Sequence, residues 1–127
     1  MEFTFEVSGR LPCLNDMINK AQYNRYAYAT LKKKWTAYVG SFIVKEHVPL
    51  FSNPYSVTVK FIEPNYRRDI DGVASGGLKF ILDALVDTFR VPGDNRVWFK
   101  ELHVSFPKPD KENPRVIVTL RELEEHF

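Results

Sequence analysis

Arg67, Arg68, Asp69, Asp71, Lys79 and Asp94 place three carboxylates among three cations between positions 67 and 94. Charges that dense are costly unless something engages them. A divalent metal seated on a nucleic-acid phosphate would engage them all. Asp69 and Asp71 are two apart, and residues i and i+2 of an extended segment point to one side. Like charges on one side resist joint ionisation until a cation enters. Mg²⁺ suits such a pair, because it takes one or two carboxylates, several waters and phosphate oxygens. Ile70 would point the other way, into the core. Asp-x-Asp is also a common cap or turn, so the pair does not decide by itself.

The flanking elements must position the pair. Tyr55, Val57, Val59 and Phe61 alternate over residues 55–62, which predicts a half-buried strand. Glu63-Pro64-Asn65 breaks it, so the acids fall just past a strand end, on an exposed loop. A glycine-rich connector follows, Gly72 to Gly77. Leu78, Ile81, Leu82, Leu85, Val86 and Phe89 then form one apolar stripe, predicting a helix over 78–89. Lys79 falls in its first turn, beside the acidic loop. It either meets phosphate as a point charge or pairs with Asp83 at i+4. Pro92-Gly93 ends the helix and Asp94 follows, as a third acid or as an ordinary turn residue. The expectation is that all these groups converge on one edge of a small sheet.

Arg67-Arg68-Asp69-Ile70-Asp71, then Lys79-x-x-x-Asp83-Ala84-Leu85, then Asp94-x-x-Val97, resembles the signature of RusA-type Holliday junction resolvases. Three separated pieces agree in order, and the overall layout agrees over most of the chain. The resemblance implies that Asp69, Asp71 and Asp94 are metal-binding catalytic aspartates and that Lys79 is the essential lysine. It implies Mg²⁺, with Mn²⁺ as a substitute. It implies a homodimer that cuts branched DNA, the four-way junction, by paired symmetric nicks in a bacterial or phage-infected cytoplasm. Leu11-Pro12-Cys13-Leu14-Asn15 resembles the family's proline- and asparagine-bearing segment after strand one. Three features depart from the pattern. Gly72 replaces an asparagine, Gly93 replaces the first of two aspartates, and the connector is longer by about four residues, which would form an extra helical turn or a mobile loop.

Composition sets bounds. The 127 residues suit one domain, and 44% hydrophobic residues can build a core. A net charge of +2 is only a weak indication of nucleic-acid binding. Basic residues nevertheless cluster at Lys32-Lys33-Lys34 and Arg67-Arg68, while Glu122, Glu124 and Glu125 place acid at the tail. Cys13 is the single cysteine, which excludes an intrachain disulfide and a cysteine-rich zinc site. His47, His103 and His126 are scattered without metal-ligand spacing. No apolar run is long enough for a membrane span. The alternating, acidic start at Met1-Glu2-Phe3-Thr4-Phe5 does not read as a signal peptide.

The predicted order is β-α-β-α-β-β, an α/β (α+β) two-layer sandwich with a mixed sheet of about four strands and two helices on one face. The first strand carries Phe3, Phe5 and Val7. Residues 9–16 read as loop, 17–28 as ambiguous, and 30–46 as helix. Strands cover 96–106 and 115–121, joined by a hairpin loop or tip at 108–114. No repeat or domain boundary is visible. Candidate DNA contacts are Arg67, Arg68, Asn15, Arg25, Lys32 and Lys33. Tyr23, Tyr26 and Tyr28 suit base stacking, or core and dimer contacts. Phe99 and Leu102 are further dimer candidates. Two other functions stay open: a junction-binding protein that has lost cleavage, and a Mg²⁺-dependent enzyme on nucleotides. No Walker-type glycine loop favours the latter.

Overall fold

The structure, a computed structural model, describes residues 1–123, the side chain of Tyr23 excepted. Its elements run β1 (Glu2–Ser8), α1 (Leu14–Tyr23), α2 (Arg25–Lys45), β2 (Tyr55–Ile62), α3 (Ile70–Asp87), β3 (Phe99–Ser105) and β4 (Arg115–Glu122). The four strands form one mixed sheet in the order β1-β4-β2-β3. β2 and β3 are parallel and joined through α3, as a parallel pair requires. β4 lies antiparallel between β1 and β2.

Alternation builds the sheet's inner face. Phe5 and Val7 pair with Val118 and Val116, which in turn face Val59 and Phe61 of β2. All six are buried, and Ile43, Phe80, Ile81 and Leu85 of the helices pack with them in the same core. Lys32 meets Asp83, and a Cβ on Gly40 would sit 3.6 Å from Thr88, so α2 and α3 run in the same direction. Among the described residues no helix is long and apolar enough to cross a membrane.

The α+β layout agrees with the expectation, and β2 has the predicted limits. Several local expectations are corrected. A third helix, α1, occupies part of the predicted loop and ambiguous stretch. The Cys13 N–H donates to Asp16 Oδ2 at 3.0 Å at its start. Asn24 ends α1 and caps α2, its Oδ1 accepting from the Ala27 N–H at 2.7 Å. That single polar residue, inside a run of helix formers, separates the two helices. Residues 108–114 are not a hairpin, because β3 and β4 are not neighbours. Glu124, Glu125 and His126 lie outside the described residues.

The largest correction concerns the glycine-rich connector. α3 begins at Ile70, so Gly72, Gly76 and Gly77 are helical. Glycine is a poor helix former, so close packing must compensate. A Cβ on Gly76 would stand 2.4 Å from the Pro12 carbonyl oxygen, and one on Gly77 2.6 Å from the Phe61 ring. The two glycines let the N-terminal loop and β2 lie directly against α3. The longer connector is thus an added helical turn.

Candidate active site

Asp69 occupies the N-cap position of α3 and Asp71 its first turn. They are therefore not two same-side residues of an extended segment. Ile70 is 63% exposed and does not enter the core. Both acids line a cleft of about 450 Å³ with Asn65, Tyr66, Arg68, Phe106 and Pro109. Asp at an N-cap ordinarily accepts from the helix's first N–H groups. Asp69 makes no such bond. Asp71 Oδ1 accepts only from the Gly72 N–H, at 2.9 Å. Among the described residues neither acid has a cationic partner. The helix N-terminus stabilises both carboxylates and also favours a phosphate oxygen nearby.

One wall of the cleft is a buried ion cluster that was not recognised in the sequence. Glu63 follows the last residue of β2 and is buried. Arg68 grips it with Nε to Oε1 at 2.7 Å and Nη2 to Oε2 at 2.9 Å. Arg10 adds a weaker contact at 3.3 Å, and Arg68 Nη1 donates to the Leu11 carbonyl at 3.0 Å. Burial works against the Arg68 charge. Hydrogen bonding to Glu63 and its negative charge outweigh that, and the guanidinium pKa is raised. Arg68 thereby has a structural tie to Glu63 and Leu11, which its expected role at DNA did not include. Arg67 is different: its side chain is exposed and has no partner among the described residues. Glu63 was legible only as a carboxylate ending an apolar strand, five positions before an arginine.

Tyr66 was also missed. It stands 84% exposed on the cleft rim, between Asn65 and Arg67. An aromatic ring so exposed beside two acids is a natural platform for an unpaired base. Its position directly before the arginine pair was the available signal.

Lys79 lies in the third turn of α3, not the first. Eight residues past Asp71, it is about 12 Å farther along the helix axis. Its Nζ is 3.8 Å from Asp83 Oδ2, so the i,i+4 ion pair is present. Lys32 approaches the same oxygen at 3.6 Å. Lys32 and Lys33 line a groove between α2 and α3 that also holds Asp83 and Asp87. Asn15 is exposed next to Asp16, whose charge acts on Arg68, so it lies at the acidic end. Arg25 is exposed as the first residue of α2, and Tyr26 beside it is equally open.

Asp94 is separate from the pair. Tyr55, the first residue of β2, donates its hydroxyl to the Gly93 carbonyl at 2.7 Å. Burial first, and the Asp94 charge second, push the Tyr55 phenol well above its usual range. Asp94 therefore sits at the N-terminal end of β2, whereas Asp69 follows its C-terminal end. Eight strand residues at ~3.3 Å each put the two ends more than 20 Å apart. Among the described residues no three His, Cys, Asp or Glu side chains gather closely enough to hold a metal. The expected convergence of all the acids in one chain is corrected. No protein-family model matches this chain, and no curated protein matches it either, so the likeness to RusA-type resolvases rests on its own residues.

Proposed function

We propose that the chain is a Mg²⁺-dependent, structure-specific endodeoxyribonuclease that nicks four-way DNA junctions. The observation carrying this reading is that Asp69 and Asp71 share a cleft and that, among the described residues, no cation pairs with either carboxylate. Two free carboxylates fit Mg²⁺ as a donor set, with Mn²⁺ as a substitute, because waters and phosphate oxygens complete the shell. A bound ion would supply a Lewis acid for phosphate and lower the pKa of a bound water. Asp69 and Asp71 would hold the ion. The α3 N-terminus orients a phosphate oxygen, and Arg67 neutralises a neighbouring phosphate. Tyr66 stacks on a base unpaired at the branch. Phosphate contacts supply most of the affinity, and junction shape supplies the selectivity.

The reading takes a homodimer. A four-way junction has two equivalent strands to cut, and a two-fold dimer presents two equivalent sites. Asp94 is too distant from Asp69 and Asp71 in its own chain. It joins the reaction only as the partner subunit's Asp94, lent across the dimer.

A second reading is a junction-binding protein without cleavage. The tie of Lys79 to Asp83, about 12 Å along the helix from Asp71, favours it. One experiment separates the two. The protein is incubated with a fixed four-way junction and a matched linear duplex, in Mg²⁺ or in EDTA. Paired nicks on the junction alone, dependent on Mg²⁺ and lost in Asp71→Asn, support the nuclease. Junction binding without nicking supports the binder, and neither activity refutes both.

A further inference from the structure

We infer that the cleft of Asp69 and Asp71 takes one unpaired nucleotide, its base seated among Tyr66, Phe106 and Pro109 and its edge met by Asn65. The role of the acids rests on the nuclease reading; the apolar and amide contacts to a base do not. The cleft has two unlike parts. Asp69 and Asp71 supply carboxylates, while Phe61, Tyr66, Ile70, Phe106, Pro107 and Pro109 supply apolar surface. Its volume of about 450 Å³ suits one small organic group. A nucleotide joins a flat apolar face to an anionic phosphate, the same two characters once a cation sits on the acids.

The apolar wall is held in place. Phe106 stacks on Phe61 with ring centroids 5.3 Å apart, and Phe61 is buried in the core. The Asp110 N–H donates to the Glu63 carbonyl at 2.9 Å, which ties the segment after β3 to the end of β2. Pro107 and Pro109 fix φ along that segment. Tyr66 and Ile70 border the same cleft, yet both side chains are held out in water. A base inserted between them and the fixed wall would cover that surface, and aromatic rings accept any base by stacking.

Asn65 supplies the polar contact. Its Oδ1 accepts from the Arg67 N–H at 3.0 Å. A backbone N–H meets only the oxygen of the amide, so this bond decides which way the side chain points. Its NH₂ group has no partner among the described residues, and Asn65 lines the cleft. Two N–H donors are thus left for acceptor atoms on the edge of a base.

The cost of reaching this cleft selects the substrate. A paired base must leave its stack and its partner to enter, and the cost is least for a base already unpaired. A linear duplex bears all of it, and a branch with an unpaired nucleotide bears little. Selectivity for branched DNA then comes from the loose nucleotide as well as from the shape of the arms.

The test uses three fixed four-way junctions: fully paired, with one extra unpaired nucleotide at the branch, and with an abasic residue at that same place. Binding is read by fluorescence anisotropy in Ca²⁺ and nicking in Mg²⁺, with circular dichroism confirming that the variants fold. The extra nucleotide should tighten binding about fivefold or more over both other junctions. Tyr66→Ala should remove that gain. Asn65→Asp keeps an oxygen for the Arg67 N–H and replaces the donor NH₂ with an acceptor, so it should shrink the gain. Its added charge acts on all three junctions alike and cancels in the comparison. Equal binding of the abasic and extra-nucleotide junctions would overturn the inference, as would a gain that survives Tyr66→Ala. A base-dependent gain without nicking leaves the nucleotide cleft standing and removes the nuclease reading. Nicking without a base-dependent gain does the reverse, and binding to none of the three removes both.

Discussion

Arg68 holds Glu63 by two parallel hydrogen bonds, 2.7 and 2.9 Å, at the point where β2 gives way to the acidic loop. A planar guanidinium matches a carboxylate in this geometry, and lysine cannot reproduce it. The pair anchors the loop that carries Asp69. Glu63→Ala leaves two arginines without their shared anion and should cost about 3 kcal/mol of stability. Arg68→Lys should cost less but loosen the loop. Urea unfolding of both variants and their double mutant measures the coupling.

The glycines of α3 make opposite predictions. Gly76→Ala forces a Cβ against the Pro12 carbonyl and should destabilise by about 1–3 kcal/mol. Gly72→Ala meets nothing within 4 Å and should stabilise by about 0.5–1 kcal/mol. Thermal melts of the two variants should therefore move in opposite directions. A shared direction would remove the packing account of the glycine-rich turn.

Lys79 divides the two functional readings. Its ion pair with Asp83 is partly exposed, so Lys79→Met should change stability by no more than about 0.5 kcal/mol. If the lysine contacts a reacting phosphate, the same variant loses nicking by about 100-fold while still binding junctions. Unchanged nicking assigns Lys79 to the ion pair alone.

Tyr66 should matter to binding rather than to chemistry. Tyr66→Ala removes a stacking surface worth about 1–3 kcal/mol, so junction affinity should fall about fivefold or more. Affinity for a linear duplex should change little, because its bases are already stacked. Equal losses on both substrates would assign the ring to general contact.

Tyr55 sets an alkaline limit on stability. Its folded phenol is held protonated by burial and by the Asp94 charge, so its folded pKa is raised. Such a group contributes stability that is fully present below the unfolded phenol value and is lost as pH rises above it. From about pH 10 upward, stability should fall by ~1.4 kcal/mol per pH unit on this account. Tyr55→Phe should flatten that slope, at the cost of about 1 kcal/mol for the lost bond to Gly93. Urea midpoints between pH 9 and about pH 11 check both effects.

The sequence by itself determined what depends on near neighbours. Alternation at 55–62 set β2, and the stripe from Leu78 marked the core-facing side of α3 as far as Val86, because both signals repeat within one element; Phe89, expected on that stripe, lies past the helix end and is 83% exposed. The proximity of Asp69 and Asp71 was equally legible, since two positions separate them in any conformation. The tertiary structure decided the rest. Gly76 and Gly77 read as a loop because the partners that make them tolerable, Pro12 and Phe61, are remote in sequence. Arg68 read as a DNA contact because its carbonyl partner on Leu11 lies 57 positions away. Asp94 read as a member of the acidic site because a motif records order along the chain. The straight run of α3, about 27 Å for 18 residues, carries Asp94 to the opposite end of the sheet. Only folding reveals that distance, since a helix separates its two ends in space while a sequence pattern counts only residues.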